Sequence, residues 1–490
     1  MVSVDTQKVT IVGGGTAGMV CALLLKKKLP SYDIYVIESE KIGIIGVGEG
    51  STEHWKIFCN ETEISIDELI LETKATHKYG IRFEGWSNKH PDYFHSISAN
   101  ESIDGSIPIY EYLYTQDRLF TNTLSHPSFI ENKVIATENP HLNPNQYHFD
   151  TFKLNVYLHK LCKRAGIKVF NDEVKDIHVN PVNGFIEKLI GEKSEYKSDF
   201  WVDASGFAKV LISRMDSKSN WFSYSDYLLT DSAIPFPTPL DKSGEIRPYT
   251  RAIAQDSGWI WEIPTQERRG NGYVFSSAHC SQEQAVEAIK KTTGFELETW
   301  RHIKFDPGYL KKQWIKNCVA VGLASSFVEP LEATSISTAI QQSRLIARFL
   351  SSDWESSNVV QNSYNKLMDQ FHDNLVSMIA LHYVSDRRDT AFWRDMASMK
   401  KPPLLESMLE IWKYQQPSRS DYPFSEYELF GLAHFWHVAQ GQGVVSKEAC
   451  LRHLQDAGLM DYAAAKITEY RQSYASARTI YHHELFQKQA

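Results

Sequence analysis

Residues 8–38 read as a strand, a glycine-rich turn, a helix and a returning strand, and few folds accommodate that order. Val9-Thr10-Ile11-Val12 is a β-branched run suited to a strand buried on both faces. Gly13-Gly14-Gly15-Thr16-Ala17-Gly18 completes a G-x-G-x-x-G turn and opens a helical stretch over residues 17–28. Ile34-Tyr35-Val36-Ile37 forms the second strand and ends at Glu38, 25 residues after Gly13. Glycines in this pattern let a pyrophosphate approach backbone N–H groups at the positive end of a helix. Gly13, Gly15, Thr16, Ala17 and Gly18 form that cradle, and Glu38 stands where a carboxylate accepts hydrogen bonds from an adenosine ribose. The expectation is an α/β body of the Rossmann type that binds a dinucleotide.

The rest of the chain favours FAD over a nicotinamide. A nicotinamide domain completes its sheet with regular βα units. Here Gly46-Val47-Gly48-Glu49-Gly50-Ser51-Thr52 follows quickly, and then comes a long aromatic-rich stretch. A helix over 152–164, a strand over 167–170 and the strand Phe200-Trp201-Val202-Asp203 bring back βαβ character. A late strand, Cys318-Val319-Ala320-Val321, precedes a helix over 334–350. Sheet strands separated by long insertions are the habit of FAD enzymes. Past Pro402-Pro403 the pattern turns helical, with an aromatic cluster over residues 424–436. Ser446 caps one helix, and Asp461 caps another that continues towards Gln487. The chain thus divides into an FAD-binding body over 1–395, split by substrate-side insertions, and a helical part over 396–490 that completes the substrate site.

Charge and cysteine usage remove other classes. Lys and Arg total 52 against 60 Asp and Glu, a net charge of −8, and the longest basic clusters are Lys26-Lys27-Lys28 and the scattered region 311–316. A nucleic-acid binder needs a basic face, so nucleic acid is not the expected partner. The six cysteines form no C-x-x-C pair, which argues against a zinc or iron–sulfur site and against a disulfide framework, and suits a reducing cytoplasm. No metal is expected. The apolar stretch 9–25 holds four glycines and is too short for a comfortable membrane span. Gly270-Asn271-Gly272 lacks the flanking strand and helix of a second nucleotide fingerprint, so reduced flavin is expected to come from a separate flavin reductase.

Several segments together resemble the flavin-dependent halogenases of the tryptophan-halogenase type. Gly258-Trp259-Ile260-Trp261-Glu262-Ile263-Pro264 matches the GWxWxIP signature of that family. Tyr147-His148-Phe149-Asp150, Asp203-Ala204-Ser205-Gly206-Phe207 and Trp314-Ile315-Lys316-Asn317-Cys318-Val319-Ala320 resemble three further segments. So do Phe327-Val328-Glu329-Pro330-Leu331-Glu332-Ala333-Thr334 and the run from Asp389 to Arg394. The matches extend from residue 9 to about residue 395, and the remainder resembles the family only loosely.

The resemblance implies FADH₂- and O₂-dependent halogenation of an electron-rich, indole- or phenol-like ring by hypohalous acid. Lys78 falls on the family's essential lysine and Glu332 on its glutamate, a general base. Lys74 and Glu329 are the neighbouring decoys. Thr334 and Ser335 match the positions whose amides hold halide, but Ala333 replaces a common serine and Ser335 a common glycine. The added side chain leads us to expect bromide, and iodide, to compete with chloride. Trp259 and Trp261 are expected to separate flavin from substrate sterically, His95 to lie on the substrate side, and Glu49 to belong to the flavin end. A homo-oligomer remains open. The alternative is an FAD-dependent aromatic hydroxylase; against it, the late strand runs Val321-Gly322-Leu323-Ala324, without the Gly-Asp such enzymes use there.

Overall fold

The structure is a computed structural model that describes residues 6–44, 46, 49–96, 103–119, 127–136, 146–216, 220–240, 243–355, 357–423 and 425–487. Val47, Gly48 and Phe424, which the sequence motifs include, lie outside the described residues.

Lys8–Val12 sits at the centre of a six-stranded sheet between Phe200–Asp203 and Asp33–Glu38, parallel to both. Lys168–Asn171 extends one edge and Cys318–Ala320 the other, again parallel, and only Trp314–Ile315 runs antiparallel. Strands from the two ends of residues 8–320 thus share one sheet, as the split pattern led us to expect. Val9 and Ile11 on one face, and Thr10 and Val12 on the other, are all buried, which is why this run is apolar or β-branched throughout. The Thr16–Lys28 and Thr334–Leu350 helices pack against each other over the sheet, burying Met19, Val20, Ile340 and Ile346.

A second sheet of seven strands carries the substrate-side signature. Gly258–Pro264 is central and wholly buried, paired antiparallel with Thr250–Gln255 and Arg268–Phe275. Thr250–Gln255 in turn runs parallel to Gly80–Glu84, which pairs with the edge strand Asp92–Ser96. A small three-stranded sheet, Glu49–Gly50, Gln146–Phe149 and Thr76–Lys78, stands beside these layers and delivers Lys78.

The C-terminal part is helical. All eleven residues of Leu432–Gln442 are buried, and this helix packs on Asp92–Ser96 and on the long Asn358–His382 helix. Ser446 caps Lys447–Asp456 by accepting from the Ala449 N–H. The helix after it corrects the sequence reading. It begins at Met460 after Leu459, with Asp461 inside its first turn, and it stops at Ser476. An acidic first-turn residue complements the helix dipole without capping. Thr479-Ile480-Tyr481, a β-favouring triplet, leaves the helix to pair antiparallel with Lys133–Ile135, where Ile480 meets Val134. Among the described residues no helix is long and apolar enough to cross a membrane.

Candidate active site

The nucleotide end separates glycines that pack from one that faces open space. Gly13 has φ +123°, and a Cβ there would lie 2.2 Å from the Ala204 carbonyl oxygen. A Cβ on Gly18 would lie 2.0 Å from the Gly13 oxygen, so helix and turn touch only because both residues lack one. Gly15 precedes the Thr16–Lys28 helix and would meet nothing within 4 Å. The first N–H groups of that helix, from Thr16 and Ala17 onward, have no intrahelical acceptor and open onto this space. Glu38 ends its strand with the carboxylate folded over Gly14. Asn155 and His159, one turn apart on Thr151–Arg164, both donate to the Gly14 oxygen, at 2.9 and 3.3 Å. His159 also stands 3.3 Å from the Glu38 carboxylate, which raises its pKa. Burial pushes the Glu49 carboxyl up to about 7, against a hydrogen bond from Thr151. An open helix N-terminus beside a carboxylate at the end of the second strand fits an adenine dinucleotide.

Lys78, Glu332 and the chain between them converge deep in the protein. Lys78 is wholly buried and donates to the Ser51 carbonyl oxygen at 2.9 Å. Burial pulls its pKa down to about 8, and the carboxylates of Glu332 and Glu53 oppose that fall. A Cβ placed on Gly50 would stand 3.5 Å from Lys78 Nζ and 3.1 Å from the Ala333 methyl, so one small residue lies between the lysine and the segment that carries Glu332. Glu332 itself has φ +67° and Ala333 φ +54°. Two successive left-handed residues of this kind are strained, by roughly 1–3 kcal/mol each. The surrounding hydrogen bonds hold the turn.

Those bonds come from histidines. His95 Nδ1 donates to both Glu332 oxygens at 2.8 Å. His382 Nε2 lies 2.9 Å from Glu332 Oε1, off the ideal hydrogen-bond line. Burial favours a neutral carboxyl, yet the two imidazoles outweigh it and hold Glu332 far below the usual carboxylate range. His95 Nε2 in turn meets His434 Nδ1 at 2.9 Å, and His434 Nε2 meets Glu53 Oε1 at 3.3 Å. Glu329, three residues before Glu332, has different partners: hydroxyl donors from Thr230 and from Tyr383 (2.8 and 3.0 Å). Burial pushes it up to about 7. Two carboxyls so close in sequence are therefore driven apart in acidity by their surroundings.

The turn at Glu332-Ala333 points the chain into the Thr334–Leu350 helix, whose first two amides belong to Thr334 and Ser335. Both residues line a small cavity with Gly322, Phe327 and Thr338. Trp259 and Trp261 share one face of their strand, buried, with ring centroids 6.1 Å apart. Trp86 bridges Trp259 to His382, at centroid distances of 6.1 and 6.0 Å, so the tryptophans back onto the group that holds Glu332.

Sequence reasoning brought Lys78, Glu332 and His95 forward and missed Glu53, Asn155, His159, His382 and His434. Asn155 and His159 had a usable signal, the i, i+4 spacing on a helix expected beside the glycine turn. His382 and His434 are single residues on helices with no motif around them, and only the tertiary fold gathers them.

A model of the tryptophan halogenase family matches residues 8–456. The chain is 30% identical to a tryptophan 6-halogenase of Streptomyces toxytricini over 499 aligned residues, covering 94% of this chain and 93% of that one. It is 31% identical to a 7-chloro-L-tryptophan 6-halogenase of Kutzneria, over 84% of this chain and 86% of the relative. Among solved structures, a flavin-dependent halogenase from Xanthomonas campestris superposes with a TM-score of 0.85 at 29% identity, covering 99% of this chain and 98% of that one.

Proposed function

Because this chain belongs to the tryptophan halogenase family, we propose that it transfers halogen to an electron-rich indole- or phenol-like ring held near Lys78 and Glu332. The observation that carries the reading is the convergence of a buried lysine and a buried, histidine-gripped carboxylate across Gly50. FAD is held by the Gly13–Gly18 turn, with Glu38 at its ribose and Glu49 at the flavin end. Bound reduced FAD supplies the electrons that turn O₂ and a halide into hypohalous acid. Thr334 and Ser335 offer the halide two amides and no formal charge, so binding is weak and governed by anion size and hydration. The Ser335 side chain reshapes that cavity, and a larger anion sheds its water more readily; bromide, and iodide, serve at least as well as chloride.

Lys78 receives hypohalous acid at the substrate end. With a pKa of about 8 it is mainly an ammonium near neutral pH, which polarises the acid by hydrogen bonding, and its amine form, from which a haloamine can form, is within reach. Glu332, kept ionised by His95 and His382, takes the proton from the halogenated ring carbon. Trp259 and Trp261 keep the ring from the flavin, so halogenation rather than hydroxylation results. FADH₂ arrives by diffusion from a separate reductase. The test is halide-dependent conversion of indoles and phenols by the purified chain with a generic flavin reductase: halogenated product supports the reading, and hydroxylated product made without halide contradicts it.

A further inference from the structure

The contacts Glu332–His95, His95–His434 and His434–Glu53 form one line of four titratable groups, with gaps of 2.8, 2.9 and 3.3 Å. Carboxylates stand at both ends and imidazoles in the middle. The first two contacts are hydrogen bonds with one proton between their heavy atoms, and at the third an imidazole nitrogen faces a carboxylate oxygen as an ion pair, where a bare lone pair would be repelled. Two neutral imidazoles carry only one N–H apiece. The line is therefore one proton short unless it holds an extra one, and this count does not depend on where along the line the proton rests. His382 stands outside the line: its Nδ1 meets the Tyr93 hydroxyl at 3.4 Å and its Nε2 faces Glu332.

We propose that Glu332, His95, His434 and Glu53 form a proton store that lends its extra proton, through Glu332, to the oxygen of hypohalous acid and recovers it from the halogenated ring carbon. This rests on the Lys78–Glu332 reading given above. In the first step the O–X bond breaks, X⁺ joins the ring carbon, and the departing hydroxide takes the proton from Glu332 to become water. The proton on Glu332 comes from His95 Nδ1, which is reloaded at Nε2 from His434 Nδ1. In the second step the ring C–H bond breaks, its electron pair restores aromaticity, and the proton returns to Glu332 and shifts the line back. The sum is ArH + HOX → ArX + H₂O, with no net proton, so a store suffices. While its proton is lent, the line is more negative by one charge, beside the cationic ring that needs it.

The surroundings put the resting proton on His434. Burial works against charge there, but Glu53 and Glu332 outweigh it and raise the pKa, whereas burial lowers His95. The groups facing His434 are Glu53 and His54 on one side, Glu332 and His95 on another, and Glu428 ahead of its own helix. His434 and Glu53 touch no reacting atom in this scheme; they are positioning residues for the proton on Glu332.

The test has a readout independent of turnover. In the ¹⁵N-histidine-labelled full chain at about pH 8, above the ordinary histidine range, one buried ring should be doubly protonated. Its signals should vanish in His434→Gln and titrate about tenfold more easily in Glu53→Gln, which removes the counter-charge. A neutral His434 ring at that pH overturns the store. With reductase, halide and arene, His434→Gln should oxidise FADH₂ normally yet lose about a hundredfold in product, with kcat falling and arene KM unchanged. A wild type that makes no halogenated arene sinks the halogenase reading itself. A productive wild type matched by His434→Gln sinks only the store.

Discussion

Lys78 gives a quantitative test because its burial affects stability as well as chemistry. Burial lowers its pKa from 10.5 to about 8, so at neutral pH the charged lysine makes folding about 3 kcal/mol less favourable than an unshifted one would. The unfolded chain keeps the proton up to 10.5 and the folded chain only up to about 8, so stability rises with pH between those values. By about pH 10 less than about 1 kcal/mol of the penalty remains. Lys78→Met removes the charge at similar length but leaves the Ser51 carbonyl without its donor, a loss of about 1 kcal/mol. The variant should therefore be more stable than wild type by about 2 kcal/mol near pH 7 and about equal near pH 10. Urea unfolding of both proteins at the two pH values measures this. A variant less stable at pH 7, or a difference that does not change with pH, would refute the claim that Lys78 is a buried, strained cation.

Other outcomes follow from the same geometry. Gly15→Ala should leave the unfolding temperature unchanged while weakening FAD binding, since its methyl enters only open space; Gly18→Ala, at 2.0 Å from the Gly13 oxygen, should destabilise the fold. Thermal scans and flavin titration separate the two. Glu332→Gln should cut product formation by roughly 10²–10⁴-fold, as lost acid–base help does. Glu329→Gln, which replaces a carboxyl already near half-protonated, should stay within about tenfold of wild type; the reverse ranking would exchange their roles. In competition at equal halide concentrations, brominated product should match or exceed chlorinated product, and a clear preference for chloride would contradict the reading of Ser335.

The nucleotide fold was legible because its signals are local. Val9–Val12, the glycine turn and Glu38 lie within one short βαβ unit, and each residue type there is dictated by a backbone need or a two-faced burial. The late strands were found from apolar β-branched runs, since a strand buried on both faces has no other composition open to it. The tail failed at Asp461 and beyond. A helical pattern over residues 460–476 says nothing of the strand partner at Lys133–Ile135, which decides where the helix ends. Lys78 and Glu332 came from resemblance, not from periodicity; physics alone made Lys78 a surface lysine, since lysine is rarely buried. What the sequence hid was the surroundings that make these residues reactive. His382 reaches Glu332, and His434 reaches its partner His95, from helices that meet only in the folded chain, and Glu53 closes the line from a loop edge with no motif of its own.

The proposed division of labour separates the flavin end from the halogen-transfer site, with Lys78 serving only the second. The direct measurement is Lys78→Ala beside wild type under one reductase supply, with oxygen, a halide and an electron-rich arene, following FADH₂ oxidation and halogenated product together. The expected result is unchanged FADH₂ oxidation, hypohalous acid caught by a scavenger in solution, and almost no halogenated arene. Near-wild-type product from Lys78→Ala would contradict it.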